Sequence, residues 1–244
     1  MISVRLLRSS FVSVLYALAA LDIAAVVPTF RKTTLDEHFF AEGAAFGDLN
    51  GDGQLDAVAG PYWYAGPDFT ERHEIYSPVV VDPLKYSENF CAFTYDFNGD
   101  GWTDVLVIGF PGAAATWFEN PGKKTTSWTR HLAFSSVDNE SPVFARLFPQ
   151  EPPVLLCSTG GRFGYAQFDP KDPMRPWTFH AVTPPGPWQR FTHGLGFGDV
   201  NGLRIQIARV EFAVFPHRFD VNDVASIGSE PPAFKLLKIC RGLT

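Results

Sequence analysis

Nine residues, DLNGDGQLD at 48–56, return nearly unchanged as DFNGDGWTD at 96–104. Each copy sets Asp, Asn, Asp and Asp at loop positions 1, 3, 5 and 9, with Gly at positions 4 and 6. This pattern constrains the fold more than any other part of the chain. Asn, Asp and Gly favour turns, and Gly reaches backbone angles closed to other residues. Three carboxylates in so short a loop repel one another unless something offsets the repulsion. A motif that recurs at a fixed offset marks a repeat architecture.

The repeat extends beyond the loops. EGAAFGDLNGDGQLDAVAGPYWYAGPD starts at Glu42, and NFCAFTYDFNGDGWTDVLVIGFPGAAATWFENPG starts at Asn89. The opening of a further copy, HGLGFGDVNG, starts at His193. The leading acids Asp48, Asp96 and Asp199 are spaced by 48 and 103 residues, so one unit is missing from the series. SPVFARLFPQEPPVLLCSTGGRFGYAQFDP fills that place without the acidic loop.

Each unit keeps one internal order. An apolar stretch enters the turn, and a continuous apolar strand leaves it (Ala57-Val58-Ala59; Val105-Leu106-Val107-Ile108; Val154-Leu155-Leu156-Cys157). An aromatic strand follows (Tyr62-Trp63-Tyr64; Trp117-Phe118), then an alternating one (Trp128 to Leu132; Trp177 to Val182). No 3.6-residue period persists, so helix content should be low. Four-stranded units of roughly 50 residues are the pattern of propeller blades. The expected fold is all-β, a β-propeller of about four such blades. After Gly202 the pattern stops at LRIQIARVEF. The expected organisation is a signal peptide at 1–25, propeller repeats over 26–202, and an atypical tail at 203–244. Truncation, a reading-frame change or disorder would each account for that tail.

The start of the chain carries Arg5 and Arg8, an apolar run FVSVLYALAAL, and small residues at Ala17, Ala19, Ala24 and Ala25. This is the layout of a secretory signal peptide. Asp22 interrupts the run before it reaches the ~20 apolar residues that a membrane span needs. The alternative is an uncleaved anchor, the one route by which the chain would meet a membrane. The expected location is secreted, periplasmic or cell-surface. A net charge of −6 and the lack of a Lys/Arg cluster argue against a nucleic-acid partner. Cys91, Cys157 and Cys240 fit neither a zinc spacing nor a dense disulfide framework.

A curled loop of this composition can aim the Asp48, Asn50, Asp52 and Asp56 side chains, with the Gln54 carbonyl, at one point. The second loop offers Asp96, Asn98, Asp100 and Asp104, with the Trp102 carbonyl. Hard oxygen donors in that number suit Ca2+, whose charge would offset the carboxylates. An EF-hand would need Glu at position 12, where Ala59 and Val107 stand in strand-like runs. The alternative is a metal-free polar hairpin turn.

These units resemble the FG-GAP/VCBS repeat family, the calcium-loop propeller repeats of integrin α-subunits and of many exported bacterial proteins. The carrying residues are Phe46-Gly47-Asp48 with the loop to Asp56 and Gly60-Pro61; Asp96 to Asp104 with Gly109; and Phe197-Gly198-Asp199-Val200-Asn201-Gly202. The resemblance implies a propeller with calcium loops on one face, used for binding or as a scaffold. The expected partner is a protein or a surface glycan. The third unit has lost the loop acids and the fourth lacks the second half of the motif, so neither is expected to hold a complete ion site.

Glu42, Asn89 or Phe90, Ser141 and His193 precede the first strand of their units. In a propeller they would ring a channel mouth. A Glu and a His there could serve acid–base chemistry, which gives the alternative of a propeller hydrolase, lyase or sugar dehydrogenase. The plainer reading is strand-entry polar residues. The aromatic pairs suit either inter-blade packing or stacking on sugar rings. GGRFGYAQ at 160–167 reads as a turn, and none of the common hydrolase, zinc-protease or dinucleotide motifs occurs.

Overall fold

The computed structural model describes residues 30–124, 127–186 and 190–198, and beyond them the backbone of three short strands at 206–209, 224–226 and 236–237. The signal-peptide segment and most of the 203–244 tail lie outside the described residues. The chain divides into two units, Met1–Thr34 and Leu35–Thr244, and every described strand belongs to the second. Among the described residues there is no helix, and so none long and apolar enough to cross a membrane.

Among the described residues, sixteen strands form four sheets of four, each an antiparallel meander in sequence order. The first sheet holds β1 (Ala44–Gly47), β2 (Asp56–Ala59), β3 (Tyr62–Tyr64) and β4 (Arg72–Glu74). The second holds β5 (Cys91–Tyr95), β6 (Asp104–Ile108), β7 (Ala113–Glu119) and β8 (Thr129–Val137). The third holds β9 (Val143–Ala145), β10 (Val154–Thr159), β11 (Arg162–Gln167) and β12 (Thr178–Ala181). The fourth holds β13 (Leu195–Gly198), β14 (Gln206–Arg209), β15 (Val224–Ser226) and β16 (Leu236–Leu237). Three of these last strands lie within 203–244, where the repeat pattern is lost from the sequence.

The second strand of each of the first three units is the most buried, and its side chains alternate between two cores. A strand sends successive side chains to opposite faces. Val105 and Val107 of β6 join Leu49, Val58 and Ile75 in a core shared with the first sheet. Leu106 and Ile108 of the same strand meet Leu155 and Cys157 of β10 in a core shared with the third. Val154 and Leu156 of β10 then face Leu147, Phe163 and Leu195. The continuous apolar runs therefore reflect sheets covered on both faces, with each sheet stacked on the next. The outer face of the first sheet, with Ala57, Tyr62 and Tyr64, is covered by Leu35 and Phe40.

Trp117 and Phe97 are fully buried in the core between the second and third sheets, beside Phe168 and Trp177. Phe97 packs at 5.5 Å from both Trp117 and Trp177 and at 5.6 Å from Phe168, ring centre to ring centre. Cys91 and Cys157 are free thiols. Burial pushes the Cys91 thiol up to about 11, with the Glu42 carboxylate adding to the effect, and burial raises Cys157 further.

Candidate functional site

Both acidic loops are β-turn connections at the same edge of consecutive sheets. The first joins β1 to β2, where Gly47 pairs with Asp56, and the second joins β5 to β6, where Tyr95 pairs with Asp104. Their flanks are strands, so the EF-hand frame is absent.

The two loops have the same hydrogen bonds, residue for residue. Asp48 accepts from the N–H groups of Gly51 and Asp52 with Oδ1 and of Gly53 with Oδ2, at 2.8–3.1 Å. Asp96 accepts from Gly99, Asp100 and Gly101 in the same way, at 2.8–3.2 Å. Asn50 and Asn98 accept from the N–H of Asp52 and Asp100 and donate back to those carboxylates. Asp52 and Asp100 accept from the N–H of Gln54 and Trp102. Gly53 and Gly101, at φ 84° and 89°, provide the left-handed turn that such a curl requires.

The closing acid of each loop has a different task. Asp56 and Asp104 are fully buried. Asp56 accepts from the N–H of Leu49 at 2.7 Å and of Gly66 at 2.9 Å. Asp104 accepts from Phe97 at 2.9 Å and Asn120 at 2.8 Å. Each thus ties the loop's second residue to the exit of the third strand. Burial pushes the Asp104 carboxyl up to about 7. The N–H groups of Asn120 and Phe97 oppose that rise, and the Asp100 and Asp96 carboxylates add to it.

The residues fit a hard cation in kind and in charge. Every donor is oxygen, and a carboxylate oxygen that accepts one N–H keeps a second lone pair. The acids of the second loop bear on one another electrostatically. Among the described residues, no Lys, Arg or His forms an ion pair with any of the six loop acids. The loops in this form are closed by their own N–H groups, and among the described residues no three His, Cys, Asp or Glu side chains gather closely enough to hold an ion.

The loops are also joined to each other. The Asn120 amide donates to the Leu49 carbonyl of the first loop at 2.8 Å and to the Thr103 carbonyl of the second at 2.9 Å. The Trp102 indole lies against Gly51 and Gly122: a Cβ placed on them would sit 3.2 Å and 2.6 Å from its ring. Thr94 Oγ1 donates to the Phe46 carbonyl at 2.6 Å, which ties β5 to β1 beside the loops.

The strand-entry residues do not form a joint site. The exposed Glu42 carboxylate accepts from the Ser87 hydroxyl and N–H. The buried Asn89 donates to the Tyr76 hydroxyl at 2.9 Å. His193 lies 3.4 Å from Glu140. Glu42 and His193 make no contact of this kind with each other.

One repeated device was not read from the sequence. Trp63 pairs across strands with His73, Trp117 with His131 and Tyr165 with His180. The rings are stacked, at 4.1, 4.3 and 4.9 Å between centres. The signal was present as a His in the fourth strand of three units (ERHE, TRHL, TFHA). No protein-family model matches this chain, and no curated protein matches it.

Proposed function

We propose that this chain is an exported, calcium-binding β-propeller of the FG-GAP/VCBS type that serves as a binding or scaffold module for a protein or a surface glycan. The observation that carries this reading is the duplicated loop, the same hydrogen-bond set at the same edge of two stacked sheets. Four sheets that share cores in sequence order support a radial arrangement. Ca2+ would be held by the side chains of Asp48, Asn50, Asp52 and Asp56 with the Gln54 carbonyl, and by Asp96, Asn98, Asp100 and Asp104 with the Trp102 carbonyl. It would supply the positive charge these loops lack. The third turn, which lacks the Asp and Asn residues of the motif, has no such part, and Asp199 is not among these ligands. The enzymatic alternative requires Glu42 and His193 to act together, and their separate partners favour the binding reading.

A calcium titration followed by thermal melting tests this. The expected result is a melting temperature that rises with Ca2+ and returns to its starting value on chelation, since an ion that binds only the folded form stabilises it. A melt indifferent to Ca2+ would overturn the calcium assignment.

A further inference from the structure

The first and second sheets leave a cleft between them. One cavity of about 710 Å³ opens beside the first acidic loop, and one of about 540 Å³ adjoins it; Tyr76, Ser77, Phe118 and Arg130 line both. The floor of the larger is apolar, with the buried Leu49, Ile75 and Phe118. Its walls hold three half-buried indoles: Trp63 from β3, Trp102 from the second loop and Trp128 at the start of β8. The Trp102 ring lies against Gly51 and Gly122, closer than a side chain at either position would allow.

Three cations share this cleft. Lys123 and Lys124 come from the turn after β7, and Arg130 comes from β8; all three are exposed. Among the described residues none of them forms an ion pair. The guanidinium of Arg130 has only a long bond, 3.4 Å, to Thr116 Oγ1. Unpaired cations in one cleft stand out in a chain whose Asp and Glu outnumber its Lys and Arg by 26 to 20. Glu74 and Glu88 are the carboxylates on the lining.

Flat aromatic faces accept the C–H faces of a sugar ring, and a guanidinium matches a carboxylate in a two-bond fork. A nucleic acid would also use stacking and cations, but the acidic balance of the whole chain opposes it. We propose that the cleft between the first and second sheets binds an oligosaccharide of carboxylate-bearing (uronate) sugars. The rings would lie on Trp102 and Trp128, beside the Trp63–His73 stack, and the carboxylates would meet Arg130, Lys123 and Lys124. This deepens the binding-module reading and rests on it for the kind of partner.

The test is calorimetric titration of the full chain, in Ca2+ and after chelation, with tetragalacturonate, its methyl ester and tetra-aspartate. The acid should bind. The ester should bind at least about tenfold more weakly, the scale of one lost charge-assisted bond, and tetra-aspartate should not compete. Arg130→Gln and the surface pair Lys123→Gln/Lys124→Gln should each weaken the acid by about tenfold while leaving circular dichroism unchanged. Equal binding of acid and ester, equal binding of tetra-aspartate, indifference to both variants, or no binding by folded protein would each overturn the proposal. Calcium-dependent melting without uronate binding would sink the cleft alone. Uronate binding that depends on the three cations, beside a melt indifferent to Ca2+, would support the cleft and sink the metal.

Discussion

The turn between β5 and β6 and the turn between β9 and β10 do the same architectural job by different means. The first is the acidic loop, held by Asp96, Asn98, Asp100 and Asp104 on backbone N–H groups. The second, FPQEPP, has three prolines, a bond from the Glu151 N–H to the Phe148 carbonyl at 3.1 Å, and Arg146 donating to the Glu151 carbonyl. Both lead into strands buried along nearly their whole length, β6 and β10. A sheet of this kind therefore does not need the acids. Proline stiffens a turn by restricting the unfolded chain, whereas the acidic loop carries repulsion that a cation would relieve. The third turn is fastened by prolines and backbone bonds; the first two are fastened by carboxylates on backbone N–H groups.

The largest difference should come from the closing acid. Asp104→Ala strips the acceptor from two buried N–H groups and should cost about 2–3 kcal/mol, against under about 0.5 kcal/mol for the exposed Glu151→Ala. Urea denaturation of the two variants checks this, and equal costs would break the contrast. Next comes the ion. Ca2+ at about 100 times its Kd should add about 2.7 kcal/mol for each loop it occupies. Asp48→Asn with Asp96→Asn should abolish that gain, while Glu151→Gln should leave it intact, as read by scanning calorimetry. Smaller still, Gly101→Ala should cost about 1–2 kcal/mol from its φ alone, because open space surrounds the added methyl. The cost should be similar for Gly160→Ala in the third sheet, where φ is also positive and the space is also open. A penalty confined to Gly101 would point to the ion loop instead of backbone strain.

The smallest effect is one of pH, at the first sheet. The His38 N–H holds the Asp36 carboxyl below its usual range, against the pull of burial and with help from the His38 ring and Arg72. A folded pKa below the unfolded value of 3.8 gives stability that is present above that value and lost as the pH falls through the folded one. Acid titration of stability should therefore be shallower below pH 3.8 in Asp36→Asn than in the parent.

Much of this was legible in the chain because it is local. The loops carry their signature within nine residues, and the apolar runs of β6 and β10 announce burial on both faces. What was not legible is what lies far apart in sequence. The bond from Asn120 to the Leu49 carbonyl joins residues 71 positions apart. The aromatic–His pairs span connections of unequal length, from Trp63 to His73 and from Trp117 to His131, so no fixed spacing gives them away. The cleft needs two sheets to exist, and the sequence shows only that Lys123 and Lys124 follow a turn. Strands β14 to β16 left no trace in the repeat pattern, because after Gly202 the residues no longer keep the order that the other units share.

The alternation along β6 has a consequence for how such a chain can be cut or grown. Excising the second unit would leave two oily surfaces bare, one once covered by Val105 and Val107 and the other by Leu106 and Ile108. Units in the middle of this stack are keystones, and length can change without rupture only where a sheet has a single neighbour.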